Sequence, residues 1–375
     1  MDNEEKFELI TRGVQEVIGP EDLKTFIDTG EELKHYIGFE ISGKIHLGTG
    51  LQTGKKIADF QKAGVKCSCY LATYHAWINN KLGGNLDTIR HFSDYFKEGL
   101  KKSIEIMGGD PAKVKFVSGD ELYHNNDEYW RTVIDIAKNM TLNRSLRAIT
   151  IMGRKEGENV STAQLFYPAM QVADIFSQGL NIAHAGMDQR KAHVVAREVA
   201  LKLVTTPLHT KNGALAKPVA IHHPLLMGLN KPPVNTEGKD MQEILSEMKM
   251  SKSVAGSAVF VTDSTEEIKE KMKNAYCPAQ QVELNPVMNW AEHVLFTSPQ
   301  SILHIERPTK FGGSVDYTSY EKLRTEYTQG KLHPMDLKNA VGERLTQLLE
   351  PVRKHFAKGK LSKFKEELDV AQITR

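Results

Sequence analysis

The chain has 375 residues, of which 40% are hydrophobic and 26% charged, with a formal net charge of +2. This length exceeds one ordinary domain, the composition is that of a globular protein, and the small net charge gives no global signal for nucleic acid. The 3 cysteines form no C-x-x-C pair, which argues against a zinc site and suits a reducing cytoplasm. No run of about 18 apolar residues occurs, so no membrane span is predicted.

Strand and helix patterns alternate over the first two thirds of the chain. Residues 1–35 follow a helical pattern broken at Gly19-Pro20 and at Gly30. Strands are then predicted in four segments, each followed by a helical stretch: HYIGFEI, VKCSCYLAT, AKVKFVS and LNIAHAG. Such alternation predicts an α/β fold with a parallel sheet and helices on both faces. Ligands of these sheets bind beyond the carboxyl ends of the strands, at the topological switch point.

The pattern changes near residue 250 and becomes mostly helix-forming. Ser264 and Glu267 have the spacing of a capping box, and Pro334 suits the first turn of a helix, where a missing N–H costs nothing. We therefore predict two domains, residues 1–255 and residues 256–375, of which the second is α-helical.

The segment KIHLGTG lies between the first of these strands and its helix. Its glycines would let the backbone approach a phosphate, the helix N-terminus would add free N–H groups, and His46 would donate a hydrogen bond. The segment matches neither the Walker loop nor G-x-G-x-x-G. By itself it is equally consistent with an ordinary tight turn.

The segment MKMSKSVAG follows the last predicted strand of the α/β region. Lys249 and Lys252 would neutralise charge that develops on phosphates during nucleotidyl transfer. The alternative for lysines in such a polar segment is a solvated loop.

A polar stripe runs along the predicted helix in LFYPAMQVADIFSQG, for which Pro168 suggests the start. Tyr167, Gln171, Asp174 and Gln178 fall within about 60° of arc at 100° per residue. A helix that is polar on one narrow stripe and apolar elsewhere suits the wall of a polar pocket, although a solvent-facing stripe is the alternative. A carboxylate, two amides and a phenol can together bind an ammonium and a hydroxyl group.

Two further segments carry weaker signals. In AHAGMDQRKAH, Gly186 would admit a nucleotide, Asp188 would accept from ribose hydroxyls, and Gln189 would face the pocket; Asp188 as a simple N-cap is the alternative. Near the C-terminus three side chains at element ends suit an unpaired base, although Phe311 also suits a core: Phe311, His333 and Asp336.

Together these segments resemble the class I aminoacyl-tRNA synthetases, whose signatures are H-I-G-H and K-M-S-K-S. The signatures stand here as residues 46–49, HLGT, and residues 249–253, KMSKS. The segments YIGFEISGKIHLG, YPAMQVADI, GMDQRK, KFGG and HPMDLKNAV are similar to those of tyrosyl-tRNA synthetases of the archaeal/eukaryotic type. The resemblance covers about residues 30–356. It implies a Rossmann-like sheet, a helical anticodon-binding domain and a homodimer.

The resemblance also implies a reaction and its residues. Tyrosine and ATP would give tyrosyl-adenylate and pyrophosphate, with Mg²⁺ assisting, and tRNA(Tyr) would then accept the tyrosyl group. The tyrosine site would comprise Tyr36 and Asp174 at the hydroxyl, and Tyr167, Gln171 and Gln189 at the amino group. ATP would contact His46, Gly48, Thr49, Gly186, Asp188, Lys249, Met250, Ser251, Lys252 and Ser253. Catalysis would rest on His46, Gly48, Lys249 and Lys252, and anticodon binding on Phe311, His333 and Asp336.

The sequence departs from the family pattern at three positions. Thr49 replaces the second signature histidine, Thr73 stands where an acidic residue is usual, and Gln178 stands where an apolar residue is common. Three alternatives remain open: a tryptophanyl-tRNA synthetase, which shares the fold, a tRNA-binding paralogue without synthetase activity, and a small nucleotidyltransferase with H-x-G-H.

Overall fold

The structure is a computed structural model that describes residues 1–154, 158–232, 244–245, 247–250 and 256–371. The α-helices in the N-terminal half are α1 (Asn3–Thr11), α2 (Pro20–Asp28), α3 (Thr53–Lys62), α4 (Thr73–Ile78), α5 (Leu86–Ile106), α6 (Gly119–Tyr123), α7 (Asp127–Lys138), α8 (Leu142–Ala148), α9 (Thr162–Phe176) and α10 (Arg190–Val199). The later helices are α11 (Thr265–Asn274), α12 (Pro286–Trp290), α13 (Tyr320–Thr328), α14 (Pro334–Phe356) and α15 (Lys363–Val370). The strands are β1 (Glu16–Ile18), β2 (Lys34–Glu40), β3 (Lys66–Ala72), β4 (Val114–Ser118), β5 (Ile182–Gly186), β6 (Val219–His223), β7 (Leu303–Ile305) and β8 (Val315–Tyr317).

Six strands form one sheet in the order β1-β6-β5-β2-β3-β4. All neighbouring pairs are parallel except β1 with β6. The four predicted strands are β2, β3, β4 and β5, and their parallel pairing confirms the predicted α/β class. The chain order reverses between β2 and β5, where Tyr36 pairs with Ala183. This pair marks the switch point, so the carboxyl ends of β2 and β5 are where a ligand is expected.

The prediction was incomplete at the edges of the sheet and in the C-terminal part. Strand β1 lies within a segment predicted as helix, and β6 was not predicted. Strands β7 and β8 form an antiparallel pair inside the region predicted as helical. Strands of three to five residues are too short to show a period, and β1 also pairs with a strand far away in sequence, as Glu16 with His222. The helical character of the C-terminal region is otherwise confirmed, including the capping box of Ser264 and Glu267 and the helix start at Pro334.

Helix α9, which carries the polar stripe, does not begin at Pro168 as predicted. It begins at Thr162, where Ser161 and Gln164 form a capping box, and Pro168 lies within the helix. The capping box provides hydrogen-bond partners for the free N–H groups of the first turn, so the helix starts one and a half turns earlier. Three of the stripe residues, Tyr167, Gln171 and Asp174, lie in the middle and end of this helix, and Gln178 lies just after its last residue, Phe176.

Two large hydrophobic clusters hold the molecule together. The first lies around the sheet and includes Phe60 and Val172. The second joins Ile45 of the glycine segment to Val261 and Trp290 of the C-terminal part. The predicted domain boundary after residue 255 falls at residues 251–255, outside the described ranges, and stays a prediction. In the part of the chain that the structure describes, no helix is long and apolar enough to cross a membrane.

Candidate active site

Asp174 of α9 lies at the centre of a closed polar site. Its side chain is fully buried. One carboxylate oxygen, Oδ1, accepts hydrogen bonds from the hydroxyls of Tyr123, at 2.9 Å, and of Tyr129, at 3.0 Å. The other oxygen, Oδ2, is buried and has no hydrogen-bond partner among the described residues. Burial raises the pKa of Asp174 well above its usual range, and the two hydroxyl donors oppose that rise.

Tyr36 lies on β2 beside this carboxylate. It is buried, and its ring centre lies 6.1 Å from that of Tyr70 on β3. Burial and then the nearby charge of Asp174 raise the pKa of Tyr36, so its hydroxyl stays protonated at neutral pH. A Cβ atom at Gly38 would lie 2.6 Å from the Tyr36 hydroxyl. The glycine of YIGFE therefore leaves space for the hydroxyl of the tyrosine two residues before it.

The predicted amino-group residues lie at the other end of the same site. Gln171 donates from Nε2 to Oε1 of Gln189 at 3.1 Å, and Gln189 donates in turn to the carbonyl of Ile151 at 3.0 Å. The Gln171 Oε1 atom is buried and has no partner among the described residues. Tyr167 donates its hydroxyl to Glu40 Oε1 at 2.8 Å. The structure thus brings Tyr36, Tyr167, Gln171, Asp174 and Gln189 together, and it leaves two buried acceptors open between them.

The polar stripe on α9 faces the interior of the protein. Tyr167 and Asp174 are buried, and Gln171 and Gln178 are partly buried. Gln178 donates to the backbone carbonyl of Asp174 at 2.8 Å, so this departure from the family pattern caps the end of the helix. The alternative of a solvent-facing stripe is therefore wrong for this helix.

Several residues that the sequence interpretation missed complete the site. Glu40 ends β2 and lies with its Oε2 3.6 Å from the Nζ of buried Lys81. His75 of α4 lies with its Nε2 3.7 Å from Asp174 Oδ2, and burial lowers the pKa of His75 to about 3. Tyr70, Tyr123 and Tyr129 lie around the same carboxylate. The signal available in sequence was the placement of Glu40 and His75 just after strands, at the edge where ligands bind.

Thr73, the second departure, is also buried. Its hydroxyl lies 3.4 Å from Asp120 Oδ2, while Arg90 pairs with the same carboxylate. An acidic residue is present beside this position, but it comes from α6 and not from the strand end.

The glycine segment forms a helical turn with its histidine folded back on it. The backbone N–H of Thr49 donates to Nδ1 of His46 at 3.3 Å, and the Thr49 hydroxyl lies 3.2 Å from Nε2. An accepting Nδ1 requires the neutral ring to carry its proton on Nε2, so the third departure, Thr49, meets the nitrogen that would donate to phosphate. A Cβ atom at Gly48 would lie 3.3 Å from the His46 ring.

The remaining glycines of this segment serve packing. A Cβ atom at Gly50 would lie 2.7 Å from Val261, and one at Gly54 would lie 2.6 Å from the backbone carbonyl of Ser103 on α5. Both approaches are too close for a side chain without a shift of the neighbour, so Gly54 permits the contact of α3 with α5 and Gly50 the contact with Val261. In this segment Gly48 and Thr49 therefore lie against the His46 ring, and Gly50 and Gly54 make close packing contacts.

The second signature meets the same edge of the sheet. Lys249 donates from Nζ to Asp188 Oδ2 at 2.9 Å. The charge of Asp188 raises the pKa of Lys249. Burial by itself would raise the pKa of Asp188, but with the charge and hydrogen bond of Lys249 beside it the pKa of Asp188 is lowered. Met250 is buried. Ser251, Lys252 and Ser253 lie outside the described residues.

Gly186 ends β5 at this edge of the sheet, close to Asp188 and Leu225. A Cβ atom there would lie 2.8 Å from Asp188 Oδ1 and 2.9 Å from Leu225. Asp188 lies in the short 3-10 turn Met187–Gln189, and the N-cap residues of that turn and of α10 are Gly186 and Gln189. The alternative that Asp188 is only an N-cap is therefore wrong.

The predicted anticodon residues lie far along the chain, in the C-terminal part. Phe311 is 60% exposed, so the alternative that it belongs to a core is wrong. His333 is exposed and is the N-cap of α14, accepting from the N–H of Met335 at 3.1 Å. Asp336 is partly buried in the first turn of that helix.

Comparison with known proteins places this arrangement in a family. The model of the class I tRNA synthetases for tryptophan and tyrosine matches residues 28–350. A tyrosine–tRNA ligase of Thermococcus sibiricus is 57% identical over 362 residues, which is 96% of this chain and 96% of that protein. The chain belongs to the class I tRNA synthetases, in the archaeal-type tyrosyl branch.

Solved structures of the family agree with this assignment. The tyrosyl-tRNA synthetase of Pyrococcus horikoshii, solved with L-tyrosine, is 53% identical, with a TM-score of 0.93 over 98% of this chain and 100% of that one. The enzyme of Aeropyrum pernix is 40% identical, with a TM-score of 0.82 over 98% of this chain and 99% of that one. A tryptophanyl-tRNA synthetase of the same organism shares the fold, with 18% identity and a TM-score of 0.65, covering 95% of this chain and 85% of that one.

Proposed function

We propose that the chain is a tyrosine–tRNA ligase. It activates L-tyrosine with ATP and then transfers the tyrosyl group to the 3′ end of tRNA(Tyr). The observation that carries the choice of amino acid is the buried carboxylate of Asp174, whose Oδ2 has no partner among the described residues. The Thermococcus sibiricus relative named above, which bears the name tyrosine–tRNA ligase and matches nearly the whole chain, supports the same choice.

The phenol hydroxyl of tyrosine would supply a hydrogen-bond donor for the unpartnered oxygen of Asp174. We propose that its hydroxyl donates to Asp174 Oδ2 and meets the hydroxyl of Tyr36. Phenylalanine would leave the buried carboxylate oxygen without a donor, and a buried acceptor without a partner is costly. Rejection of phenylalanine on this basis is an established property of tyrosyl-tRNA synthetases. Indole has its single donor at a different place on the ring system, so the same carboxylate disfavours tryptophan.

The amino group of the substrate suits the second open acceptor. We propose that the ammonium donates to Gln171 Oε1, the buried atom that lacks a partner among the described residues, and to the Tyr167 oxygen and Gln189. The contact of Gln171 with Gln189, at 3.1 Å, fixes which end of the Gln171 amide faces the substrate. Both ends of the amino acid are thereby held, and its carboxylate is directed toward the nucleotide edge.

The activation step needs positioning and charge stabilisation, and no nucleophile from the protein. A carboxylate oxygen of tyrosine bonds to the α-phosphorus of ATP, and the bond from that phosphorus to the bridging oxygen breaks, releasing pyrophosphate. We propose that His46, Lys249 and Lys252 stabilise the charge on the phosphates, with Gly48 and Gly186 giving close backbone approach. Ribose and phosphate contacts are proposed for Thr49, Asp188, Met250, Ser251 and Ser253. In the second step a ribose hydroxyl of tRNA attacks the carbonyl carbon, loses its proton, and AMP leaves.

We propose that Mg²⁺ takes part in the activation step, as the resemblance implies. No group of three or more histidine, cysteine, aspartate or glutamate side chains there converges as metal ligands would. We propose that Mg²⁺ enters bound to the phosphates of ATP, the usual way in which this ion is held with few protein ligands.

We propose further that Phe311, His333 and Asp336 bind the anticodon and that the protein is a cytoplasmic homodimer. The exposed ring of Phe311 supports stacking on an unpaired base. Exposed apolar side chains recur at one-turn spacing on two successive helices, Trp130 and Ile134 on α7, and Leu142 and Leu146 on α8. These side chains support burial against a second copy. Free cysteines suit the cytoplasm.

The test is ATP–pyrophosphate exchange with single amino acids, followed by aminoacylation of tRNA(Tyr). We expect exchange with tyrosine and none above background with phenylalanine or tryptophan. Exchange with tryptophan alone would make the protein the tryptophan enzyme. Exchange with no amino acid, together with tRNA binding, would make it an inactive paralogue.

A further inference from the structure

Three tyrosine hydroxyls form a connected group behind Asp174. Tyr123 of α6 and Tyr129 of α7 both donate to its Oδ1. Tyr70 of β3 donates to the hydroxyl of Tyr123. All three rings are buried, at 4% exposure or less, and the rings of Tyr123 and Tyr129 pack 4.3 Å apart between centres. None of them belongs to the substrate-contacting residues proposed above.

The hydrogen bonds around the carboxylate are strongly asymmetric. Oδ1 accepts two hydroxyl protons, whereas Oδ2 accepts none from the described residues although it is equally buried. Rotation of the carboxyl group would exchange the two oxygens, but it would break both bonds at once. The two donors thus fix one oxygen and leave the other as the single open acceptor.

The hydroxyls of Tyr123 and Tyr129 also affect the pKa of the Asp174 carboxyl group. Burial favours the neutral acid, and a neutral acid would present a proton of its own to the substrate. Hydrogen bonds from O–H groups favour the ionised form and oppose burial. Oδ2 can accept the phenol proton of tyrosine, whereas the phenyl C–H of phenylalanine offers no such donor.

We propose that Tyr123 and Tyr129 are positioning residues for tyrosine selection, which fix Asp174 with its free Oδ2 toward the substrate. Tyr70 supports Tyr123 in this role. The inference rests on the proposed function of Asp174 as the acceptor of the substrate hydroxyl.

Among the described residues, six titratable neighbours lie around Asp174, five from other elements and one from its own helix: Tyr36 on β2, Tyr70 on β3, His75 on α4, Tyr123 on α6, Tyr129 on α7 and Tyr167 on α9. Burial raises the pKa of each tyrosine and lowers the pKa of His75 to about 3, so these six are neutral at neutral pH. The hydrogen bonds from Tyr123 and Tyr129 are therefore the interactions that oppose the effect of burial on the pKa of Asp174.

The experiment compares Tyr123→Phe, Tyr129→Phe and the double variant with the unmodified full chain in tyrosine-dependent ATP–pyrophosphate exchange. These changes remove one oxygen each and keep the ring packing. We expect the double variant to raise KM for tyrosine about tenfold or more, and to lower the tyrosine-to-phenylalanine ratio of kcat/KM by a similar factor. KM for ATP should change by less than about twofold. The rise of KM for tyrosine with acid should begin at a higher pH, since Asp174 takes up its proton more readily.

Two further variants separate the possible failures. Tyr317→Phe removes another buried hydroxyl that donates to a carboxylate, that of Glu326 at 2.7 Å, far along the chain in β8, and should leave KM for tyrosine unchanged. Asp174→Asn tests the acceptor itself. If Asp174→Asn raises KM for tyrosine but the double variant matches the unmodified chain in KM and pH profile, the positioning role is overturned and the pocket stands. If Asp174→Asn also leaves KM unchanged, the pocket assignment fails. Equal losses in Tyr317→Phe would show a purely structural effect and overturn the proposal.

Discussion

Lys249 donates to Asp188 across 2.9 Å, and this ion pair joins the second signature to the turn after β5. The sequence had placed the two residues on different parts of ATP, the lysine on phosphate and the aspartate on ribose. Their pairing means that Asp188 also determines where the lysine lies before the nucleotide arrives. The side chains are 37% and 27% exposed, so the pair stands at the mouth of the site and can be reached by phosphate.

Replacing Asp188 by asparagine should weaken ATP binding more than tyrosine binding. The change keeps the shape and removes the charge that holds Lys249 in place. We expect KM for ATP to rise several-fold in pyrophosphate exchange and KM for tyrosine to change little. Glu198→Gln, which breaks the surface ion pair with Arg144, is the matched control and should leave both constants unchanged. A lower KM for ATP in Asp188→Asn would mean that the pair restrains the lysine instead of aiming it.

The Thr49 hydroxyl should affect adenylate formation through its contact with the imidazole of His46. Thr49→Val keeps the side-chain shape but removes the hydroxyl that lies 3.2 Å from Nε2. We expect kcat for adenylate formation to fall several-fold while the melting temperature stays the same. Thr49→Ser keeps the hydroxyl and should retain most of the activity. Equal kcat values in the valine and serine variants would contradict a role for the hydroxyl.

Phe311 should act in the tRNA step alone. Its ring is exposed, and Lys310 Nζ lies 4.9 Å from the ring centre, so an aromatic face and a positive charge stand side by side on the surface. We expect Phe311→Ala to raise KM for tRNA in aminoacylation by about tenfold, the scale of one stacked base, and to leave pyrophosphate exchange unchanged. Ile302→Ala, another exposed apolar side chain in this part of the chain, should change neither reaction.

The C-terminal helix α15 should stabilise the whole fold. Phe364 is 4% exposed and packs against the rings of His91, Phe92 and Tyr95 on α5. We expect Phe364→Ala to lower the free energy of unfolding by about 3 to 5 kcal/mol, measured by denaturant titration. Val370→Ala on the same helix removes a side chain that is 88% exposed and should cost almost nothing. Equal stability of the two variants would show that the helix does not pack on α5.

Acid should destabilise the fold through a buried chain of histidines. His35 Nε2 lies 3.1 Å from His184 Nδ1, and His184 Nε2 lies 2.8 Å from His223 Nδ1. Burial lowers the pKa of His35 to about 3 and of His223 to about 4, and it lowers that of His184 as well. In the unfolded chain histidine has a pKa of about 6.5, so the unfolded state binds more protons below that pH. The contribution of these histidines to the free energy of unfolding is therefore fully present above about pH 6.5 and is lost as the pH drops toward 4.

Chemical unfolding at pH 7.5 and pH 4.5 measures this loss. Each fully buried histidine contributes at most about 1.4 kcal/mol per pH unit. His184→Asn removes the central ring and should reduce the loss between the two pH values, even if it lowers stability at both. His304→Gln, at an exposed position, should show the same loss as the unmodified chain. An unchanged loss in His184→Asn would place the acid sensitivity elsewhere.

The fold class and the residues proposed for the tyrosine pocket could be predicted from the sequence. Four buried strands and the polar stripe of α9 are local patterns, since side-chain period and residue type are written in consecutive residues. Tyr36, Gln171 and Asp174 could be named because their segments resemble the family, and the structure places them together around two open acceptors. The family itself followed from the two signatures and was confirmed by the comparisons.

The contacts around those residues depend on the tertiary structure and could not be predicted from the sequence. Tyr123 and Tyr129 meet Asp174 from helices about 50 residues earlier in the chain, and Lys249 meets Asp188 across 61 positions. Strand β1 likewise exists because it pairs with β6, some 200 residues away. No local pattern encodes such contacts, because they depend on how the sheet and its helices close over the site. The sequence thus indicates the groups for which we propose the chemistry, and the packing of distant segments fixes their hydrogen bonds and leaves Asp174 Oδ2 without a partner among the described residues.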